Sequence, residues 1–305
     1  MTTLVFGHKS PDTDSTGSAI VWAWYLSHTG IPAEPRLLGE PNTEAAFMLD
    51  HWDLPKPALL ADVTAADTVV IVDTNNPAEL PPSISDATIT GIIDHHMLAG
   101  GLKTRSPIEI TIRPLACTAT ILHDLMGPHA AQAPRGIKGA MLTCILSDTM
   151  EFRSPTTTPH DRAVAEALAA DLGIDIPAFA ARMFAAKSDV ARFSDAELLR
   201  MDSKEYNIDG HELRISVLET TAPKVILDRK ASLMAAMPAV AAEDGAEQVM
   251  LFIIDILNEE ATLLVPNDLV RKVAEASFGC TVTGDAVVLP GIMSRKKQII
   301  PALKM

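Results

Sequence analysis

Leu4-Val5-Phe6, Val69-Val-Ile-Val72 and Gly91-Ile-Ile93 are short apolar runs rich in β-branched residues. Runs of that length read as strands buried on both faces, as in a parallel sheet covered by helices. Pro35–Gly39 reads as a further short strand. The stretches between and after them are helical. They cover Ser18–Ser27 and Thr43–Leu49, the latter with Thr43 as a candidate N-cap. Thr118–Met126, Gly136–Leu146, His160–Leu172 and Pro177–Lys187 follow. Strands alternating with helices predict an α/β domain with a doubly wound, mainly parallel sheet.

The pattern changes after a boundary near Ala186–Ser194. A short helix, Asp195–Met201, precedes two strand runs, Lys204–Ile208 and Glu212–Leu218, joined by Asp209-Gly210. Asp-Gly between such runs is a strong hairpin signal. One long Ala- and Met-rich helix is expected over Val225–Glu243, then a strand pair, Gln248–Ile256 and Thr262–Val265. The expected organisation is an N-terminal domain 1–187, a linker 188–194 and a smaller C-terminal α/β domain 195–305.

The ends of the apolar runs carry the chemistry. The first strand leads into His8-Lys-Ser-Pro-Asp-Thr-Asp14, with one imidazole and two carboxylates in seven residues. The second leads into Asp73, the third into Asp94-His95-His96, and the segment from Met141 into Asp148. In an open α/β sheet, ligands bind outside the carboxyl ends of the strands. If the strands are neighbours, these groups converge on one edge. Imidazole and carboxylate together suit a divalent first-row metal.

Composition narrows the reading. The chain has 305 residues and is 48% hydrophobic, enough for two cores. Its net charge of −14 argues against sequence-independent nucleic-acid binding, which needs a broad basic field. An anionic substrate stays open, because bound dications can reverse the potential inside a cleft. Cys117, Cys144 and Cys280 are far apart and show no Cys-x-x-Cys spacing; Cys117 and Cys144, in apolar segments, read as reduced core thiols. No apolar run reaches the roughly 20 residues of a membrane span. A soluble, cytoplasmic protein without membrane or nucleic-acid partners is expected.

The motifs resemble those of a known family. His8-Lys-Ser-Pro-Asp-Thr-Asp14, Asp73, Asp94-His-His96 and Ser147-Asp-Thr149 are similar to the successive motifs of the DHH phosphoesterase superfamily. Phe152-Arg-Ser-Pro-Thr-Thr-Thr158, Met201-Asp-Ser-Lys-Glu205 and above all Ser294-Arg-Lys-Lys-Gln298 resemble the family II inorganic pyrophosphatases within it. The resemblance spans Leu4 to Pro301.

It implies hydrolysis of pyrophosphate at a dinuclear site lying between two domains, with a bridging water or hydroxide as nucleophile. His8 and Asp12 would hold one metal, Asp14, His95 and Asp148 the other, and Asp73 would bridge them. Two Mn2+ per subunit are implied, Co2+ being possible, with additional Mg2+ accompanying the substrate. His96, Lys204, Arg295 and Lys296 would act on the substrate, with Ser294 a further contact; Arg offers a planar fork and Lys a point charge. Asp94 would orient a ligand His. A homodimer through the N-terminal domain is also implied. One position departs from the pattern: Asp73-Thr74-Asn75 stands where the family usually has Asp-His-Asn. Metal affinity or preference is therefore the property in question.

Overall fold

The structure is a computed structural model that describes residues 2–98, 100–187, 190 and 193–304, the side chains of Lys187 and Lys296 excepted. The expected linker falls partly outside these residues. The chain divides into two compact units, Met1–Lys187 and Ser188–Met305.

The first unit holds strands β1 (Thr3–Phe6), β2 (Ala33–Leu37), β3 (Ala58–Leu59), β4 (Thr68–Val72), β5 (Thr88–Asp94) and β6 (Glu109–Ile112). They form one sheet in the order β3-β2-β1-β4-β5-β6, and every pair is parallel. Its helices are α1 (Thr13–His28), α2 (Thr43–His51), α3 (Thr118–Met126), α4 (Arg135–Asp148), α5 (Pro159–Leu172) and α6 (Ile176–Lys187). Leu4, Phe6, Val69, Ile71, Ile89 and Ile92 fill a core on the sheet. The chain leaves β1 toward β2 but leaves β4 toward β5, so the order reverses between β1 and β4. That reversal opens a crevice where ligands bind in such sheets.

Two local readings change. Asn42, not Thr43, caps α2; its side chain accepts from the Ala45 amide. Helix α1 starts five residues earlier than its apolar pattern suggests. Asp12 caps it by accepting from Ser15 N at 3.0 Å. Its first turns are polar yet buried.

The second unit holds helices α7 (Asp195–Met201), α8 (Pro223–Leu227), α9 (Lys230–Glu243) and α10 (Asp268–Phe278). Strands β7 (Ser203–Ile208), β8 (His211–Thr220), β9 (Gln248–Asp255), β10 (Glu260–Leu264) and β11 (Ala286–Pro290) form a sheet ordered β11-β10-β9-β8-β7. Only β8 and β9 pair in parallel. Strand β9 is buried throughout and divides two cores by its alternation. Met250, Phe252 and Ile254 face one, with Val270 and Val273 of α10. Val249, Leu251 and Ile253 face the other, with Leu198 of α7 and Met237 of α9. The single helix expected over Val225–Glu243 is two helices, parted at Asp228-Arg229. No described helix is long and apolar enough to cross a membrane.

Candidate metal centre

The crevice between β1 and β4 gathers the expected ligands. After β1, Gly7 lies so close to Ser15 that a Cβ would stand 2.0 Å from its Oγ. That approach lets the His8 amide donate to Ser15 Oγ at 3.1 Å. The His8 ring then lies with Nε2 3.6 Å from Asp12 Oδ2 and 3.5 Å from Asp73 Oδ2. Asp73 follows β4 in the left-handed region, at φ 58°, and is buried. Its other oxygen, Oδ1, is 3.4 Å from His95 Nε2 and accepts from Thr118 Oγ1 at 3.1 Å.

Asp14 sits in the first turn of α1 and points at the start of α3. It accepts from the Thr118 amide at 2.6 Å, the Ala119 amide at 3.2 Å and Ser18 Oγ at 2.8 Å. A helix N-terminus is a natural anion seat. Asp148 ends α4, and its Oδ2 is buried with no hydrogen-bond donor among the described residues. Three donor sets thus cluster, each within 4.8 Å: His8, Asp12 and Asp73; Asp73, His95 and His96; and Asp14, Cys117 and Asp148. Asp73 belongs to two of them.

Asp94, at the end of β5, organises the histidines. Its Oδ1 accepts from the amides of His95 (2.8 Å) and His96 (3.1 Å) and lies 2.9 Å from His96 Nδ1. Its Oδ2 accepts from Asn75 Nδ2 at 2.6 Å. His95 Nδ1 lies 3.2 Å from the Leu115 carbonyl. A proton on Nδ1 there leaves the Nε2 lone pair facing Asp73. His96 is half-exposed and lines a groove of about 600 Å³ with His8, Lys9, Thr74 and Glu79.

The electrostatics show how crowded these charges are. Burial alone would lower the His8 imidazole, but hydrogen bonds and charge from Asp12 and Asp73 carry it up to about 10. His95 also overcomes its burial, through Asp73 and Asp14, and rises to about 9. Asp14 is pushed up to about 6 by burial and then by the charge of Asp73. Burial, Asp14 and Asp73 push Asp148 well above the carboxyl range. Asp73 moves the other way: hydrogen bonds from His8 and His95 outweigh its burial. Side chains alone therefore hold this set together only by keeping protons on it. A buried carboxylate oxygen without a donor and repelled neighbours are the donor set that fits cations.

The second unit carries the other expected residues. Lys204 is exposed on β7. Arg295 donates to the Asp202 carbonyl at 2.8 Å and pairs with Asp202 Oδ1 at 2.7 Å. Ser294 caps the single turn Arg295–Ile299, accepting from Lys297 N at 3.3 Å. Gln298 accepts from the Met293 and Ser294 amides and donates to the Gly291 carbonyl. Ser294 and Gln298 thus shape the loop that presents the basic residues. The Lys296 side chain lies outside the described residues.

Comparison with known proteins covers nearly the whole chain. The DHH family N-terminal domain matches residues 2–148 and the DHHA2 domain matches residues 181–305. A protein of Deinococcus radiodurans named a probable manganese-dependent inorganic pyrophosphatase is 40% identical, over 98% of this chain and 97% of its own. One from Lactiplantibacillus plantarum with the same name is 34% identical over the same shares. This chain belongs to the manganese-dependent, family II inorganic pyrophosphatases. The crystal structure of a candidate family II inorganic pyrophosphatase from Methanococcus jannaschii superposes with a TM-score of 0.61. It is 31% identical, with 98% of this chain and 97% of that one covered.

Membership of this pyrophosphatase family makes the unforeseen residues the informative ones. Thr118 contacts both Asp14 and Asp73, and Ser15 holds His8. Glu44, fully buried on α2, accepts from Thr13 Oγ1 at 3.0 Å and Ser147 Oγ at 2.7 Å. It ties the neighbours of Asp12, Asp14 and Asp148. Glu44 lies in the first turn of α2, where an acidic residue is ordinary, so its burial had no clear signal in the sequence. Thr118 gave none beyond starting a helix.

Proposed function

We propose that the protein hydrolyses inorganic pyrophosphate to two phosphates at a dinuclear manganese centre. Asp73 carries this reading: one buried carboxylate faces His8 with one oxygen and His95 with the other, at 3.5 and 3.4 Å. His8 and Asp12 would hold one ion, Asp14, His95 and Asp148 the other, and Asp73 would serve both. When bound, two such ions polarise phosphoryl oxygens and make hydroxide available near neutral pH. Co2+ can replace Mn2+, since no thiolate is needed, and Mg2+ enters with the substrate.

The remaining roles belong to the chain's own side chains. His96, raised by its hydrogen bond to Asp94, holds a proton that it can direct to a phosphate oxygen. Lys204, Arg295 and Lys296 neutralise substrate charge, and Ser294 keeps Arg295 and Lys296 in their turn. The same reading includes cytoplasmic residence, no nucleic-acid or membrane partner, and a homodimer through the first unit. The dimer is supported by β6, an edge strand with Ile110 53% exposed.

Phosphate release from pyrophosphate, long-chain polyphosphate and a dinucleotide tests the proposal, with Mn2+ or Mg2+. Pyrophosphate with Mn2+ should be strongly preferred. Equal activity after exhaustive removal of transition metals would overturn the manganese assignment. Preference for polyphosphate would overturn the substrate. Light scattering of Ile110→Lys tests the dimer, which should dissociate.

A further inference from the structure

Thr74, the departure from the family pattern, is not a gap. It is buried beside Asp73. Its hydroxyl donates to Glu79 Oε2 at 2.6 Å and accepts from the Asn76 amide at 3.1 Å. Glu79 in turn reaches the other side of the crevice: its carbonyl accepts from Lys9 N at 2.9 Å. Lys9 Nζ adds a hydrogen bond to the Ala78 carbonyl at 3.2 Å. Lys9 is the residue after His8, and Thr74 is the residue after Asp73. The connections therefore form a ring, Asp73-Thr74 to Glu79 to Lys9-His8, which closes where His8 and Asp73 approach to 3.5 Å.

We infer that Thr74 and Glu79 form a tie between the two loops that carry His8 and Asp73, with Glu79 a positioning residue for the metal centre. The inference rests on the metal reading above. The physical case is local. Asp73 is held at φ 58°, a conformation that a side chain makes unfavourable. Its own amide is held by the Ile93 carbonyl at 2.9 Å, and fixing the next residue adds a second restraint. Thr74 is fixed twice, through its hydroxyl as donor and as acceptor. Glu79 needs only to accept from Thr74 while its own backbone holds Lys9. A hydroxyl and a carboxylate five residues further on can thus supply loop fixation at a position where an imidazole would otherwise stand.

The test is Mn2+ binding to the full chain by calorimetry, with thermal unfolding of each variant as a check on folding. Thr74→Val and Glu79→Ala should each weaken Mn2+ affinity about tenfold, the lower end for groups that orient ligands. Stoichiometry should not change. Thr74→Ser and Glu79→Gln keep a donor and an acceptor and should bind like the native chain. The double variant Thr74→Val/Glu79→Ala should be no weaker than either single one, because either change breaks the same tie. Native affinity in Thr74→Val, with Asp73→Asn losing metal, overturns the tie and leaves the metal reading standing. Glu79→Gln as weak as Glu79→Ala also overturns it, since charge rather than fixation would then be at work. A native chain that takes up no Mn2+ removes the reading beneath it as well.

Discussion

Replacing Asp148 by Asn should make the chelated protein more stable while removing one metal. Asp148 Oδ2 is buried, meets no donor and faces the carboxylate of Asp14. Its ionised form is opposed by burial and then by Asp14 and Asp73. An Asn amide group at the Oδ2 position can donate to Asp14 without a proton that must be held against its tendency to ionise. A hydrogen bond to a charged acceptor contributes about 2 kcal/mol. The first unit has the 187 residues of Met1–Lys187. For a body of that size, about 2 kcal/mol corresponds to a rise of about 4–8 °C in Tm.

The sign has a pH signature. The folded chain holds the Asp148 proton more tightly than the unfolded chain, so the native protein loses stability as pH rises above about 4. Asn does not titrate. The gain should therefore be small near pH 4 and grow toward neutrality. Calorimetric unfolding with excess chelator, at several pH values, reads it. On the proposed dinuclear reading, Mn2+ titration should show one site in the variant and two in the native chain. A lower Tm at neutral pH in Asp148→Asn would refute the reasoning, because the carboxylate would then be held by favourable partners.

Three further outcomes concern the metal ligands of the first unit and the basic turn of the second. His8 and His95 are raised to about 10 and about 9, so both must shed protons to take a cation. Mn2+ affinity should rise with pH up to that range, and calorimetry in two buffers of different ionisation heat should show protons released at pH about 7; no release would contradict it. Gly7→Ala sets a Cβ 2.0 Å from Ser15 Oγ and 3.1 Å from the Val72 carbonyl. It should cost about 1–3 kcal/mol by overpacking and weaken Mn2+ binding, both readable in one unfolding and titration series. Arg295→Ala should retain native Mn2+ stoichiometry yet lose about 100-fold in turnover of pyrophosphate; equal turnover would remove Arg295 from the substrate.

The first sheet was legible because its central strands are continuous apolar runs, each followed by a carboxylate or imidazole. The edges were not. Strand β6, Glu109–Ile112, is largely exposed and carries no burial pattern. Strand β3 has two residues, both exposed. Helix α10 carries an Asn267 cap and a Gly279 stop around an amphipathic run, and is absent from the expected elements. The α8–α9 break has neither Gly nor Pro to mark it. The candidate ligands were visible because each occupies a strand end or a helix end. Their supports were not: Thr118 and Glu44 act through contacts distant in sequence, and Ser15 and Ser18, although near the ligands they hold, are small polar residues that mark no particular role. The early start of α1 belongs with these. Thr13, Ser15, Thr16 and Ser18 are buried as polar groups, so a pattern that equates burial with apolar character misses them.

Strain is distributed in the same way as the misread polarity. Asp73 and the three residues Met150, Glu151 and Phe152 all take left-handed backbone conformations, at φ 58°, 46°, 54° and 70°. Each such residue costs about 1–2 kcal/mol relative to the right-handed form. Glycine would remove that cost and, with it, the restriction on where the chain can point. The run at 150–152 begins two residues after Asp148 and is held by surrounding contacts. The Glu151 amide donates to the Leu146 carbonyl at 2.9 Å, and the Ser154 amide to the Thr149 carbonyl at 2.8 Å. The Arg162 guanidinium lies 4.2 Å from the Phe152 ring centre. Thus Asp73 is itself strained, Asp148 adjoins a strained turn, and both lie among carboxylates that repel one another. Packing and hydrogen bonds elsewhere must offset both costs in the folded chain. Conformations this unfavourable persist at sites where surrounding structure over-determines them, and local rules fail where chemistry is placed. Cations bound between Asp14, Asp73 and Asp148 would turn the repulsion into attraction, so the same geometry that is costly for the side chains favours the metal-loaded protein.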